Sequence, residues 1–240
     1  SGWLTASVVV RAVNDQIDKL LMPRLLSVGQ LGTYNRPSGF VSQLKNRFFG
    51  IFDTILFPIL SNVQDDMTKI RSAYNQVFSL LILLAASISF CMILVSDVII
   101  AIFLGSQWED LETLLHVMSL EIVFGAYRRI CDCFIRSLGY VKMYFVTRCV
   151  STITTILFVV VGSKYGIYGV AWAVIAAHLL DAFIKITYLN NKVRYSNSNY
   201  YKMLLSAFIT PLILFCNCYG LKMLAGVNSL VCLCLFIILT

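Results

Sequence analysis

Charged residues are scarce in this chain of 240 residues, of which 13% are charged and 59% hydrophobic. Soluble domains carry roughly 25% charged residues, so the composition excludes an ordinary soluble domain. The alternation of apolar and polar residues that is typical of strands is also missing, which leaves helices as the expected structure. A membrane-spanning helix needs ~20 apolar residues. The sequence therefore predicts an all-α, polytopic transmembrane helical bundle of eight spans, near residues 3–26, 38–61, 75–104, 112–138, 142–162, 166–189, 202–220 and 224–240.

A cysteine framework of the kind found in secreted domains is missing as well, although the chain contains eight cysteines. Neighbours such as Cys131 and Cys133 are two residues apart, and such side chains diverge by ~200° on a helix. Zinc needs ligands that converge, so we expect no metal, no cofactor and no disulfide. The net charge of +7 comes without a basic surface domain, and we therefore expect no nucleic-acid partner.

A cleavable signal peptide is absent from the sequence, because no basic segment precedes a short apolar core. The chain starts with Ser1, close to the first predicted span, and the apolar run at residues 230–240 has no polar exit. These features predict an internal or C-terminal piece of a longer transporter, with the last helix truncated.

Basic residues are unevenly distributed among the predicted connections. The third connection, residues 105–110, has none, and the odd connections as a group hold few, among them Arg36. Lys and Arg concentrate in cytoplasmic loops, so the even connections are predicted to be cytoplasmic. The basic residues of those connections are Lys69, Arg71, Arg136, Lys142, Lys192, Arg194 and Lys202.

Three predicted spans carry charged residues at helical spacing. Arg11, Asp15 and Asp18 follow the i, i+4, i+7 pattern in the first span, and the second and fourth spans have similar stripes. A charge at bilayer depth costs at least ~2.5 kcal/mol, so such residues face a partner or a watery cavity. The stripes predict a polar chamber that passes a polar substrate. Its predicted lining residues are Arg11, Asp15, Asp18, Lys19, Arg47, Asp53, Glu121, Arg128 and Asp132.

The sixth predicted span contains a further polar set, in which His178, Asp181 and Lys185 follow the i, i+3, i+7 spacing. Histidine titrates near neutrality, which is useful in a proton relay. The candidates for proton coupling are therefore Asp15, Asp53, His178 and Asp181. Two simpler interpretations stay open. His178 can be a polar contact between helices, and pairs four residues apart can merely neutralise each other.

Several segments resemble a known family when their order and spacing are taken together. They are residues 14–36, which include Asn14, Asp15, Asp18 and Lys19; residues 56–66, around Pro58; residues 103–108, Phe-Leu-Gly-x-x-Trp; and residues 166–173, Gly-Ile-Tyr-Gly-Val-Ala-Trp-Ala. These segments resemble the second half of polysaccharide-biosynthesis flippases, the Wzx-type members of the multidrug/oligosaccharidyl-lipid/polysaccharide exporter superfamily. The resemblance covers residues 1–190. The family's first half has no counterpart here, and the fourth span is more charged than the family pattern.

The resemblance implies the C-terminal lobe of a two-lobed transporter of the bacterial cytoplasmic (inner) membrane, not an enzyme. Residues 1–190 would form a six-helix lobe, and residues 191–240 two additional helices. The implied activity is the flipping of an undecaprenyl-pyrophosphate-linked oligosaccharide for O-antigen, capsule or exopolysaccharide synthesis. The implied partners are that substrate, membrane lipids, the missing N-terminal lobe and a polysaccharide polymerase. Arg47, with Arg11, Lys19 or Arg128, is predicted to hold the pyrophosphate.

Three other functions remain open from the sequence alone. A drug or metabolite antiporter of the same fold would need a small apolar pocket with one acidic switch, which the mixture of charges does not favour. A membrane-embedded glycosyltransferase, polymerase or ligase would need a large outer loop for its chemistry, and none is predicted. A non-catalytic assembly subunit would have no use for charged stripes.

Overall fold

A computed structural model describes residues 21–105, 108, 111–193 and 211–220, together with the isolated positions 6, 9, 10, 205, 209, 222 and 236. The regular secondary structure within these residues is helical. The helices are α1 (Val28–Asn62), α2 (Met67–Leu94), α3 (Ser96–Ile99), α4 (Glu112–Ser137), α5 (Val141–Gly162), α6 (Gly166–Val193) and α7 (Pro211–Gly220). The all-α prediction is confirmed for this part of the chain.

Helix α1 begins ten residues before the predicted second span, so the expected first connection is wrong. Ser27 forms a capping box with Gln30, in which each side chain accepts a hydrogen bond from the other residue's backbone N–H. This cap satisfies backbone donors at the start of the helix. The helix then continues through Arg36 and Pro37. A proline inside a helix removes one backbone hydrogen bond, and the neighbouring helices must stabilise that turn.

Helix α2 has a strong start and an early end. The Asp66 side chain accepts hydrogen bonds from the backbone N–H groups of Thr68 and Lys69, and the hydrogen bond from Lys69 lowers the pKa of Asp66. The α-helix stops at Leu94, and α3 and a π-helical turn over Ile100–Leu104 follow it. The predicted third span, near residues 75–104, thus begins earlier, at Met67, and is divided after Leu94.

Helix α4 lies at the centre of the packing, against α1, α2 and α6. An aromatic cluster joins it to α2, where the ring of Tyr74 lies 4.5 Å from that of Phe78 and 5.2 Å from that of Phe134. Such ring pairs stabilise by ~0.5–1.5 kcal/mol beyond the burial of their area. Tyr74 also donates a buried hydrogen bond to the amide oxygen of Asn190, which ties the start of α2 to the end of α6.

Helices α5 and α6 form a tightly packed hairpin around small residues. A Cβ atom added to Gly162 would lie 2.5 Å from the carbonyl oxygen of Gly169 and 2.6 Å from the Cβ of Ala173. The turn between the helices is made at Gly166, whose φ of 73° is strained for other residues. Small residues at such positions allow two backbones to approach closely, as is common in membrane helices.

Two stretches of the described residues are long and apolar enough to cross a membrane, namely Met67–Leu94 and Val141–Lys192, which contains α5 and α6. The other long helices, α1 and α4, are interrupted by charged residues such as Lys45 and Arg128. The prediction of eight spans is therefore not confirmed, and the two helices that fall short are those with the charged stripes.

We predict that Gly162→Leu destabilises the protein by about 1–3 kcal/mol, because the added side chain meets the backbone of α6 and forces the hairpin apart. Thermal unfolding of the detergent-purified protein measures the effect. Gly50→Ala is the matched control, since no atom lies within 4 Å of a Cβ added there. Equal melting temperatures for Gly162→Leu and the unchanged protein would disprove the close packing of the two helices.

Candidate functional site

A polar cavity of about 620 Å³ lies between α1, α4, α5 and α6. Among the described residues, five cations line it, Lys45, Arg128, Arg129, Arg136 and Arg148, together with two carboxylates and His178. The cavity therefore has a positive excess among the described residues. Its further lining residues are Tyr34, Asn35, Ser38, Gly39, Val41, Ser42, Gln43, Asn46, Met118, Glu121, Gly125, Asp132, Thr155, Ala171, Val174 and Ile175.

The first cluster of charges joins three helices at the middle of the cavity. Lys45 Nζ of α1 lies 2.6 Å from both carboxylate oxygens of Glu121 on α4. His178 of α6 approaches the same carboxylate, with its Nδ1 3.0 Å from Oε1. Gly125 makes room for the lysine, because a Cβ there would lie 3.0 Å from Lys45 Cδ. Glu121 thus connects α1 to α6 through α4.

The second cluster is more deeply buried and lies toward the junction of α4 with α5. Arg148 of α5 donates a short hydrogen bond to Asp132 of α4. Lys185 of α6 is fully buried, and its Nζ lies 3.0 Å from Asp132 Oδ1 and 2.7 Å from Asp181 Oδ2. Arg128 Nε lies 3.9 Å from the same Asp181 oxygen. Buried charges are stable only when they are paired. Here Asp132 is paired with Arg148 of α5, and Asp181 is close to Arg128 of α4.

Three weaker contacts orient the remaining arginines. Arg129 Nη2 donates to the amide oxygen of Asn46 at 3.1 Å, between α4 and α1. The guanidinium of Arg136 lies 5.4 Å from the ring centre of Phe57 and 5.5 Å from that of Tyr144. Such cation–π contacts hold a guanidinium in place without neutralising its charge. Both guanidinium groups line the cavity.

The structure brings together the predicted residues of the fourth and sixth spans. Glu121, Arg128, Asp132 and His178 line the cavity, and Asp181 contacts Arg128 and Lys185 at its edge. Arg128 and Asp132 each have a partner on another helix, Asp181 on α6 and Arg148 on α5. Whether these residues contact a substrate or carry a proton stays a prediction.

In the part of the chain that the structure describes, no predicted residue of the first two spans is found in the cavity lining. Arg47 is exposed on α1 and is not part of the cavity lining. The Asp53 side chain lies outside the described residues, although its backbone belongs to α1. Arg11, Asp15, Asp18 and Lys19 also lie outside the described residues. The roles predicted for these six residues are untested.

Sequence reasoning missed Lys45 and Arg148, and both had a signal. Lys45 lies seven and three residues after Ser38 and Ser42, which places these three on one helical face. The predicted stripe of the second span, which contains Arg47, lies on a different face, since residues 45 and 47 are ~200° apart on a helix. Arg148 is a charge inside an otherwise apolar span, which alone predicts a buried partner.

The first part of the chain is similar to a known protein family. Residues 1–113 match the profile of a polysaccharide biosynthesis protein family. The resemblance predicted from the sequence is thus confirmed at the level of polysaccharide biosynthesis. The match includes α1 with Lys45, and it ends at the start of α4.

The chain is also distantly similar to the lipopolysaccharide biosynthesis protein WzxC of Escherichia coli (strain K12). The two sequences are 24% identical over 129 residues, which make up 54% of this chain and 26% of the relative. The aligned region thus spans about a quarter of the relative's length. No solved structure matches the chain.

We predict that Lys45→Met and Glu121→Gln each destabilise the protein by about 3–5 kcal/mol, because each leaves one charge of a largely buried pair without its partner. The two side chains are only 17% and 11% exposed. The double variant removes both charges and should be more stable than either single variant. A double-mutant cycle of unfolding free energies measures this coupling, and additive effects would contradict the pair.

Proposed function

We propose that this chain is part of a membrane transporter that passes a polyprenyl-diphosphate-linked oligosaccharide across the bacterial cytoplasmic membrane during the synthesis of a cell-surface polysaccharide. The cavity in which five cations face two carboxylates supports this proposal most strongly. The family match and the similarity to a lipopolysaccharide biosynthesis protein supply the biological context.

The charge of the cavity fits the diphosphate group of such a substrate. Arginine binds phosphate oxygens in a bidentate manner, and the fixed fork of its guanidinium loses little freedom when it does so. Arg128, Arg129 and Arg136 all line the cavity, and among the described lining residues the cations outnumber the carboxylates. In a low-dielectric surrounding this excess attracts an anion far more strongly than it would in water. An antiporter of organic cations would require the opposite sign of charge.

The outer surface of the helices fits the lipid tail of the same substrate. The exposed residues on α5 and α6 are largely apolar, and they can lie against hydrocarbon while the headgroup occupies the polar cavity. We propose that the remaining polar chamber wall comes from a second lobe, since the aligned region covers 26% of the relative. Exposed large apolar side chains of α5 and α6 include Val150, Ile153, Leu157, Val161, Trp172, Leu179 and Phe183.

Lys45 and Arg47, both on α1, provide a sharp test of the proposal. Lys45 lines the cavity and Arg47 does not, whereas the sequence predicted a role for Arg47. In the complete protein, we expect Lys45→Ala to reduce surface polysaccharide at least about tenfold, the effect of losing one charged contact of ~1.5–3 kcal/mol. Arg47→Ala should leave export near its normal level, and Lys45→Arg should retain part of it. Export is measured in cells that lack their own transporter.

Protein levels in the membrane and a second variant separate binding from folding. The double variant Lys45→Met with Glu121→Gln keeps the cavity free of an unpaired carboxylate and should fold, yet it should not support export. Normal export by this double variant would contradict the role of the cationic cavity. Loss of export by Arg47→Ala alone, at equal protein levels, would instead support the clamp predicted from the sequence.

A further inference from the structure

The polar lining of the cavity is divided along its length. Toward the N-terminal half of α1 the lining is uncharged, and the residues there that carry polar side chains are Tyr34, Asn35, Ser38, Ser42 and Gln43. The charged lining residues of α1 and α4 begin at Lys45 and Glu121 and continue toward the ends of these helices, and Arg148 of α5 joins them through Asp132. The cavity therefore has a neutral half and a cationic half.

The neutral half has hydrogen-bonding groups on one wall only. Asn35, Ser38, Ser42 and Gln43 lie along one side of α1, and their side chains form no hydrogen bond with another described residue. Gly39 lies among them, and no atom is within 4 Å of a Cβ built there. The two serines and the glycine thus leave open space in front of donors and acceptors that have no partner within the described protein.

The opposite wall of the neutral half is apolar. It consists of Met118 on α4 and Ala171, Val174 and Ile175 on α6. A slot with hydroxyl and amide groups on one side and aliphatic groups on the other matches the two surfaces of a sugar ring, whose hydroxyl groups point outward from its edge and whose C–H groups form its faces. Binding pockets commonly combine an apolar lining with a few polar groups that fix orientation.

The two halves are the correct distance apart for neighbouring parts of one molecule. Ser38 and Lys45 are seven residues apart on α1, which is about 10 Å along the helix axis. Ser42 lies between them, about 4.5 Å from Lys45 along the same axis. This spacing corresponds to one sugar ring attached directly to a phosphate group.

We infer that the cavity contains two subsites: the cationic half binds the diphosphate, and the neutral half, formed by Asn35, Ser38 and Ser42 against the α6 wall, binds the sugar attached to it. This inference rests on the proposed function and adds an orientation to it. The diphosphate points toward the junction of α4 and α5, and the first sugar points toward the start of α1. The neutral subsite then determines which first sugar is accepted.

The test compares two ligands on the purified complete protein. One is geranylgeranyl diphosphate without sugar, and the other is the same lipid diphosphate with one N-acetylglucosamine attached. We expect the unchanged protein to bind the sugar-bearing ligand about tenfold more tightly, the gain of one or two additional hydrogen bonds. Calorimetry or ligand-dependent thermal stabilisation measures both affinities.

Three variants assign the subsites. Ser42→Leu fills the neutral half, so its affinity for the sugar-bearing ligand should fall about tenfold to that of the sugar-free one, while the sugar-free ligand still binds normally and shows that the protein is folded. Arg129→Gln should weaken both ligands by the same factor. Thr33→Leu is the matched control, since Thr33 is also a polar residue of α1 but does not line the cavity, and it should change neither affinity.

Each of the other outcomes would overturn the sugar subsite, the proposed function or both. Equal affinities of the unchanged protein for the two ligands would overturn the sugar subsite and leave the proposed function standing. Equal weakening of both ligands by Ser42→Leu would likewise overturn the division into two subsites. Failure of the unchanged protein to bind either ligand would overturn the proposed function and the sugar subsite together.

Discussion

The cost of burying charge is the constraint on which this structure depends. Asp132, Asp181 and Lys185 are almost completely removed from solvent, and an unpaired charge in such a place costs several kcal/mol. The partners of Asp132 come from α5 and α6, and those of Glu121 come from α1 and α6. The electrostatic pairs therefore fix the positions of three helices around α4, in addition to the apolar packing.

The same pairs create the conditions for binding. Carboxylates on α4 and α6 hold the cations in defined positions, and because cations are more numerous in the lining, a positive excess remains. Helices α1 and α4 are not among the described stretches that are apolar enough to cross a membrane, while Met67–Leu94 and Val141–Lys192 are. Helices α1 and α4 thus require the more apolar helices beside them, and the sequence of each helix determines which of its faces is polar and which is apolar.

Much of this arrangement was predictable, and the remainder has identifiable causes. Helical structure and the polar stripe of Glu121, Arg128 and Asp132 follow from spacing, because one helical face repeats every three or four residues. The partners on other helices do not follow, since spacing within a helix says nothing about which helix faces it. The pairing of Lys45 with Glu121 is such a contact between helices, and the start of α1 at Val28 depends on the capping box that Ser27 forms with Gln30.

The convergence of α1, α4 and α6 at one point is the central claim, and cross-linking in the native membrane tests it most directly. Cysteines placed at positions 45 and 178 of the complete protein should be joined rapidly by a short bifunctional thiol reagent, with the linked peptides identified by mass spectrometry, because Lys45 and His178 both contact Glu121. Cysteines at positions 47 and 178 should react little, since Arg47 is exposed and does not line the cavity. Efficient linking of 47 to 178, and none of 45 to 178, would contradict the account.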